Sequence, residues 1–252
     1  MHKLCLGLSF AAMALLIACG SEESSSSSSL ASGDASVYND TANTLTDQRD
    51  GQVYRTVVIA PAGSGYSEVW MAENLNFVTE RSWCGGGEGD TYIEGDCSVY
   101  GRLYTWAAAV AKPEDECGYG YECGLDSGDI RGVCPKGWHL PSEDEWDELI
   151  TAVGGEAVAG KMLKSKTGWN SFSGIENNDT YLFSVLPAGY RCGGGYDDKG
   201  TFGDGGREAN FWSSTENGSD GASNVSLKYN DDLVHQYGTV KDDAFSVRCL
   251  KD

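Results

Sequence analysis

Nine cysteines, three histidines and 38 acidic residues are the side chains through which this chain could do chemistry. His139 lies between Trp138 and Leu140, a setting that suits a hydrogen-bonded structural imidazole better than a general base. The sequence has no Gly-x-Ser-x-Gly elbow and no His-Glu-x-x-His pair, so neither serine nor zinc hydrolysis has its motif, and the many carboxylates single out no glycosidase pair. The cysteines form no Cys-x-x-Cys pairs, which argues against a zinc centre. Two acidic runs, Asp197, Asp198 and Asp204, then Asn230, Asp231 and Asp232, offer oxygen ligands for structural calcium; in a chain this acidic a solvated run is the plainer reading. No other cofactor is expected. What remains is recognition. Within residues 216–243, which read as irregular, Tyr229, Asp231, His235 and Tyr237 set aromatic faces beside short polar side chains. That combination suits stacking on a sugar ring or a protein partner, with carboxylates for hydroxyls. The competing reading is that the tyrosines pack beneath loops.

Those residues need a scaffold, and the chain is organised around residues 131–146. Ser142 with Glu145 three residues on is a capping box, Pro141 fixes the entry angle, and Glu143, Asp144 and Glu145 set negative charge at the positive end of the helix. Trp146, Leu149, Ile150 and Val153 then form one apolar stripe that ends at Gly154 and Gly155. A second helix is expected over residues 101–110, where Leu103, Trp106 and Val110 recur at helical spacing before Pro113, and a short third one over 156–166 around Val158, Met162 and Leu163. Residues 53–59 and 68–71 read as an opening hairpin, 181–186 as a buried strand, and 210–213 as another. At the end, Phe245, Val247 and Cys249 alternate with Ser246 and Arg248, a half-buried strand. The expected class is α+β with many loops.

The first eighteen residues carry Lys3 and an apolar run too short for a comfortable membrane span, and read as a secretory signal. Leu16-Ile-Ala-Cys19 resembles a bacterial lipobox, which implies cleavage before Cys19 and lipidation of its thiol. With more than one acyl chain the anchor is stable. Gly20 and Ser21 lack the acidic residue that holds such lipoproteins at the inner membrane, which points to the outer membrane or cell surface. Residues 19–44, with the serine run 24–29, read as a tether that buries too little apolar surface to order itself, and residues 45–252 as one domain. With 18 basic against 38 acidic residues and a formal net charge of −20, nucleic acid and anionic lipid lack the basic footprint they need.

Setting aside Cys5 and Cys19 leaves seven cysteines, and an exported chain keeps disulfides. Locality favours Cys84 with Cys97 and Cys117 with Cys123. Cys134 and Cys249 would then join the organising stretch to the last strand, leaving Cys192 over; the repeated Cys-Gly-Gly-Gly at Cys84 and Cys192 keeps a bridge between those two as an alternative.

Seven blocks then carry a resemblance: Thr46-Asp-Gln-Arg-Asp-Gly-Gln-Val-Tyr54, Trp70-Met-Ala-Glu-Asn-Leu-Asn76, Tyr100-Gly-Arg-Leu-Tyr-Thr-Trp-Ala-Ala108, Gly132-Val-Cys-Pro-Lys-Gly-Trp-His-Leu-Pro-Ser142, Leu186-Pro-Ala-Gly-Tyr-Arg191, Phe211-Trp-Ser-Ser-Thr-Glu216 and Phe245-Ser-Val-Arg-Cys-Leu-Lys-Asp252. In this order they resemble the Fibrobacter succinogenes major paralogous domain of bacterial surface and secreted lipoproteins. The resemblance implies a C-type-lectin-like fold in its formylglycine-generating variant: an opening hairpin, two main helices packed on a central antiparallel sheet, long irregular loops, and termini held together. In such folds the region of residues 216–243 forms ligand-facing loops. No activity transfers with the fold. The expectation is therefore a non-catalytic, lipid-anchored adhesion module for a polysaccharide or a surface protein. The alternatives are a formylglycine-type oxidase, which would need free thiols at Cys134 and Cys249 to hold copper, and a purely structural envelope protein.

Overall fold

The computed structural model describes residues 36–87, 91, 93–125, 128–193 and 200–252. Residues 1–35, with Cys19, and the acidic pair Asp197 and Asp198 lie outside these. Helix α4 (Glu143–Ala152) begins where the capping box directs it: the Glu145 amide donates to Ser142 Oγ, and the Ser142 amide donates to Glu145 Oε2 at 2.8 Å. Its stripe of Trp146, Leu149 and Ile150 is buried, each side chain contributing about 1.5–3 kcal/mol by leaving water. Gly154 and Gly155, both at positive φ, stop it and turn the chain into α5 (Glu156–Leu163), as glycine alone does without strain.

Two sheets carry the rest. The first orders β1 (Val37–Asn39), β2 (Thr44–Thr46), β3 (Val53–Ile59), β4 (Glu68–Met71), the C-terminal β14 (Leu250–Lys251) and β7 (Trp138–His139). The expected hairpin is β3 on β4, with Val57 opposite Trp70. The second orders β12 (Val234–Val240), β11 (Gly221–Lys228), β10 (Glu208–Asn217), β13 (Ala244–Ser246), β6 (Arg102–Thr105) and β5 (Ser82–Cys84), with β8 (Tyr190–Arg191) and β9 (Phe202–Gly203) attached beside β13. Pairing is antiparallel except between β10 and β13, where Phe211 lies opposite Ser246 in parallel. Short helical turns α1 (Cys97–Tyr100), α2 (Trp106–Ala109) and α3 (Glu114–Cys117) fill connections. β10 divides the core: Ala209 and Phe211 pack with Trp146, Leu149 and Phe183 under α4 and α5, while Trp212 packs on the other side with Tyr104, Trp106 and Phe245. The class is α+β, dominated by strands.

Several expectations are corrected. Residues 101–110 are strand β6 followed by the single turn α2, because Leu103 and Tyr104 are taken between β13 and β5; pairing on both sides overrides the local helical propensity. The two longer helices are consecutive instead, α4 and α5. Residues 181–186 form no strand: Leu182 and Ser184 are at positive φ, and Asp179 accepts from the Ser184 amide and hydroxyl at 2.8 and 2.7 Å. The last segment is not one half-buried strand: β13 ends at Ser246 and β14 begins at Leu250 in the other sheet, and Ser246 and Arg248 are as buried as Phe245 and Val247. Residues 216–243 are the most regular hairpin of the molecule rather than an irregular loop. Strand β1 lies inside the stretch assigned to the tether, with Val37 paired to Thr46.

Candidate functional site

β12 is the outer strand of its sheet, and strand alternation sends successive side chains to opposite faces. Val234 is buried in the core under α4 and α5, and the Gln236 amide donates to Asp147 on α4; His235 and Tyr237 therefore face the other way. Their rings stack with centroids 5.8 Å apart and planes inclined by 8°. Asp231, in the turn from β11, places Oδ2 3.1 Å from His235 Nε2 while its Oδ1 accepts from the Leu233 amide at 3.0 Å. Lys228 brings its ammonium to 5.7 Å from the Tyr237 ring centre and 3.6 Å from Glu208 Oε1. The turn is held from behind by Lys164, whose buried ammonium donates to the carbonyls of Lys228 and Asp231 at 2.9 and 2.6 Å; burial pushes its pKa down. Opposite the two rings on β11 stand Ser226 and Asn224, whose Oγ and Oδ1 are buried without a hydrogen-bond partner among the described residues.

The structure thus brings Asp231, His235 and Tyr237 together. Tyr229 does not join them: it follows Lys228 out of phase and sets its ring edge-on to Phe172 at 5.6 Å. Lys228 and Lys164 were missed, the first for want of a register and the second because only the fold carries residue 164 to the turn. Of the two acidic runs, Asp231 is engaged with His235 and Leu233, and Asp204 lies 3.8 Å from Arg207.

A second cluster lies elsewhere. His139 is 4 % exposed, with Nε2 2.8 Å from Glu145 Oε1 and Nδ1 2.9 Å from Asp252 Oδ1. Burial opposes a charged imidazole, but the hydrogen bonds to Glu145 and Asp252 prevail and raise its pKa to about 9. Glu145 moves the other way: burial pushes it up, and the bonds from His139 and Ser142 bring it below its ordinary value. Asp129 completes a trio with His139 and Glu145 whose ligand atoms all lie within 4.8 Å of one another, at a cavity of about 210 Å³. A structural histidine was expected and a buried, doubly bonded one is found. Glu145 was read only as a cap, and no sequence signal ties Asp252 or Asp129 to His139.

Cys84–Cys97, Cys117–Cys123 and Cys134–Cys249 are closed as disulfides. Cys192, expected as the leftover thiol, is disulfide-bonded as well. With Cys84 already paired to Cys97, the alternative bridge between Cys84 and Cys192 is gone.

Comparison with curated proteins and with solved structures finds no match. A family model does match: residues 66–251, from the strand that completes the opening hairpin to the last strand, fit the Fibrobacter succinogenes major domain, and the chain belongs to that family.

Proposed function

We propose that this protein is a lipid-anchored, non-catalytic adhesion module of the bacterial outer membrane or cell surface, taking a polysaccharide or a surface protein on the face of β12. The observation that carries the reading is the parallel stack of His235 on Tyr237, with the Asp231 carboxylate bonded to His235 and the Lys228 ammonium over the Tyr237 ring. Flat rings with polar groups around them give a sugar ring an apolar platform and hydrogen bonds for its hydroxyls. The buried Lys164 fixes the turn, so the platform is preorganised. A C-type-lectin-like fold accords with the opening hairpin, the helix on the sheet, and a last strand returned to the early one. Anchoring through Cys19 rests on the lipobox-like sequence alone, while the disulfides support a place outside the cytoplasm. The oxidase alternative is disfavoured because Cys134 and Cys249, which would hold copper, are bonded to each other.

The test is a pull-down of the full chain on insoluble cellulose, xylan and whole cells, with and without chelator, beside His235→Ala, Tyr237→Ala and Tyr229→Ala. Retention is expected to fall tenfold or more in the first two and to persist in Tyr229→Ala, whose ring packs on Phe172. Retention equal in all four proteins removes this face as the site, and no retention on any matrix favours a structural envelope role.

A further inference from the structure

We propose that Asp129, His139 and Glu145 form a binding site for a divalent transition-metal ion of the zinc class, at the floor of the cavity between β7, β14 and α4. The site is independent of the β12 face. Its ligand set is mixed, one imidazole nitrogen and two carboxylates, which suits zinc-like ions; calcium asks for six to eight oxygens. Ligands about 2.0–2.2 Å from a tetrahedral ion lie about 3.3 Å from each other, and the three donor atoms already lie within 4.8 Å of one another, so small side-chain rotations close the shell.

What sets this trio apart from an ordinary acidic patch is that its ligands are already oriented from outside. Asp252 Oδ1 sits 2.9 Å from His139 Nδ1 and holds a proton on that nitrogen, so Nε2, which shares its proton with Glu145 Oε1 at 2.8 Å, is the nitrogen that would take the ion once that proton leaves. A carboxylate on the far nitrogen is the usual support of a metal-bound histidine. Glu145 is pinned in the same manner: its Oε2 accepts from the Ser142 amide at 2.8 Å and the Ser142 hydroxyl at 2.9 Å, leaving Oε1 for the ion. His139 is buried, Asp129 is exposed at the mouth, and Glu68 and Glu148 line the same cavity, so the field there is negative and the fourth coordination position opens to solvent. The ion would occupy the place of the proton now shared between Nε2 and Oε1. A simple histidinium held by its carboxylates is the competing account.

Calorimetric titration of the chelator-stripped full chain with zinc chloride separates the two. One zinc per chain is expected. Affinity should fall at least tenfold in Asp129→Asn, an exposed position whose replacement leaves the fold intact, and 10–100-fold in Asp252→Asn, as measured when outer carboxylates are removed from metal sites. Glu156→Gln, at the distant start of α5, should bind as the parent does, and calcium chloride should give no saturable heat. At the same zinc concentration the melting temperature should rise less in Asp129→Asn than in the parent. Absence of one-to-one zinc binding, or equal affinity in the parent and Asp129→Asn, overturns the proposal and leaves the histidinium bridge.

Discussion

Asp243 lies beside Asp242 and Arg191 and accepts the Gly193 amide at 2.8 Å through Oδ1. Burial outweighs that hydrogen bond and raises its carboxyl to about 6 from the ordinary 3.8. Below about pH 4 the group is protonated in both folded and unfolded chains. Between that point and pH 6 the unfolded chain ionises first, so its contribution to stability is lost as the pH rises through the folded value. Asp243→Asn keeps the acceptor and removes the titration. Denaturant unfolding from pH 4 to 7 should therefore show the variant gaining on the parent with rising pH, by on the order of 1–2 kcal/mol at pH 7, and a constant difference would refute the assignment. Arg248 illustrates the same tension with the opposite charge: burial pushes its guanidinium down to about 9 from the ordinary 12.5. Its guanidinium is fully buried, donating to the carbonyls of Phe183 and Ser184 and to Asn74 Oδ1 at 2.9 Å. These bonds explain why residues 182–184 leave strand geometry: their carbonyls serve a charge from the end of the chain instead of a neighbouring strand. The alternation of residue types at 245–249 could not show that the segment is buried all round or that it is divided between two sheets.

At the scale of elements, the Cys117–Cys123 loop is fastened to the central hairpin by the ion pair of a buried lysine with a half-buried glutamate. Lys241, just past β12, is wholly buried and donates to Tyr121 O and to Glu216 on β10, while Glu216 accepts from the amides of Cys123 and Gly124 at 2.6 and 3.3 Å. Removing one partner leaves the other charge uncompensated in the interior. Glu216→Ala is therefore expected to lose about 3 kcal/mol of unfolding free energy, with the loop around Tyr121 becoming the first to exchange its amide hydrogens; an unchanged denaturant midpoint would show the pair to be dispensable. Helix α4 was legible because everything it needs is local, the cap at Ser142 and Glu145 and the stripe from Trp146. Strand β6 was not, because the partners that draw residues 102–105 into a sheet come from β5 and from β13, more than half the chain away. For β11 and β12 the polar composition hid the period, as Asn224 and Ser226 occupy buried strand positions where apolar residues were looked for.

Across the whole molecule the two sheets share the chain's end: β13 belongs to one and β14 to the other, and the Cys134–Cys249 bond ties the stretch before α4 to the segment between them over 115 residues. Closing so long a loop stabilises by about 5 kcal/mol in the chain-entropy account. The double variant Cys134→Ala, Cys249→Ala should lose most of that, read as a lowered denaturant midpoint, with Cys84–Cys97 and Cys117–Cys123 intact by mass spectrometry; a loss below about 1 kcal/mol would mean that the β14 pairing alone holds the terminus. By itself the sequence determined what short-range chemistry dictates: the capped helix, the opening hairpin, the local cysteine pairs, and the family blocks. It also placed Asp231, His235 and Tyr237 in one candidate site, because residues two and four apart on a strand or turn stay together. Only the tertiary structure decided that Tyr229 faces away, that Lys164 and Lys228 complete that face, and that Asp129, His139, Glu145 and Asp252 meet. Those encounters depend on strand register and on which faces are covered, and both are set by packing between segments remote along the chain.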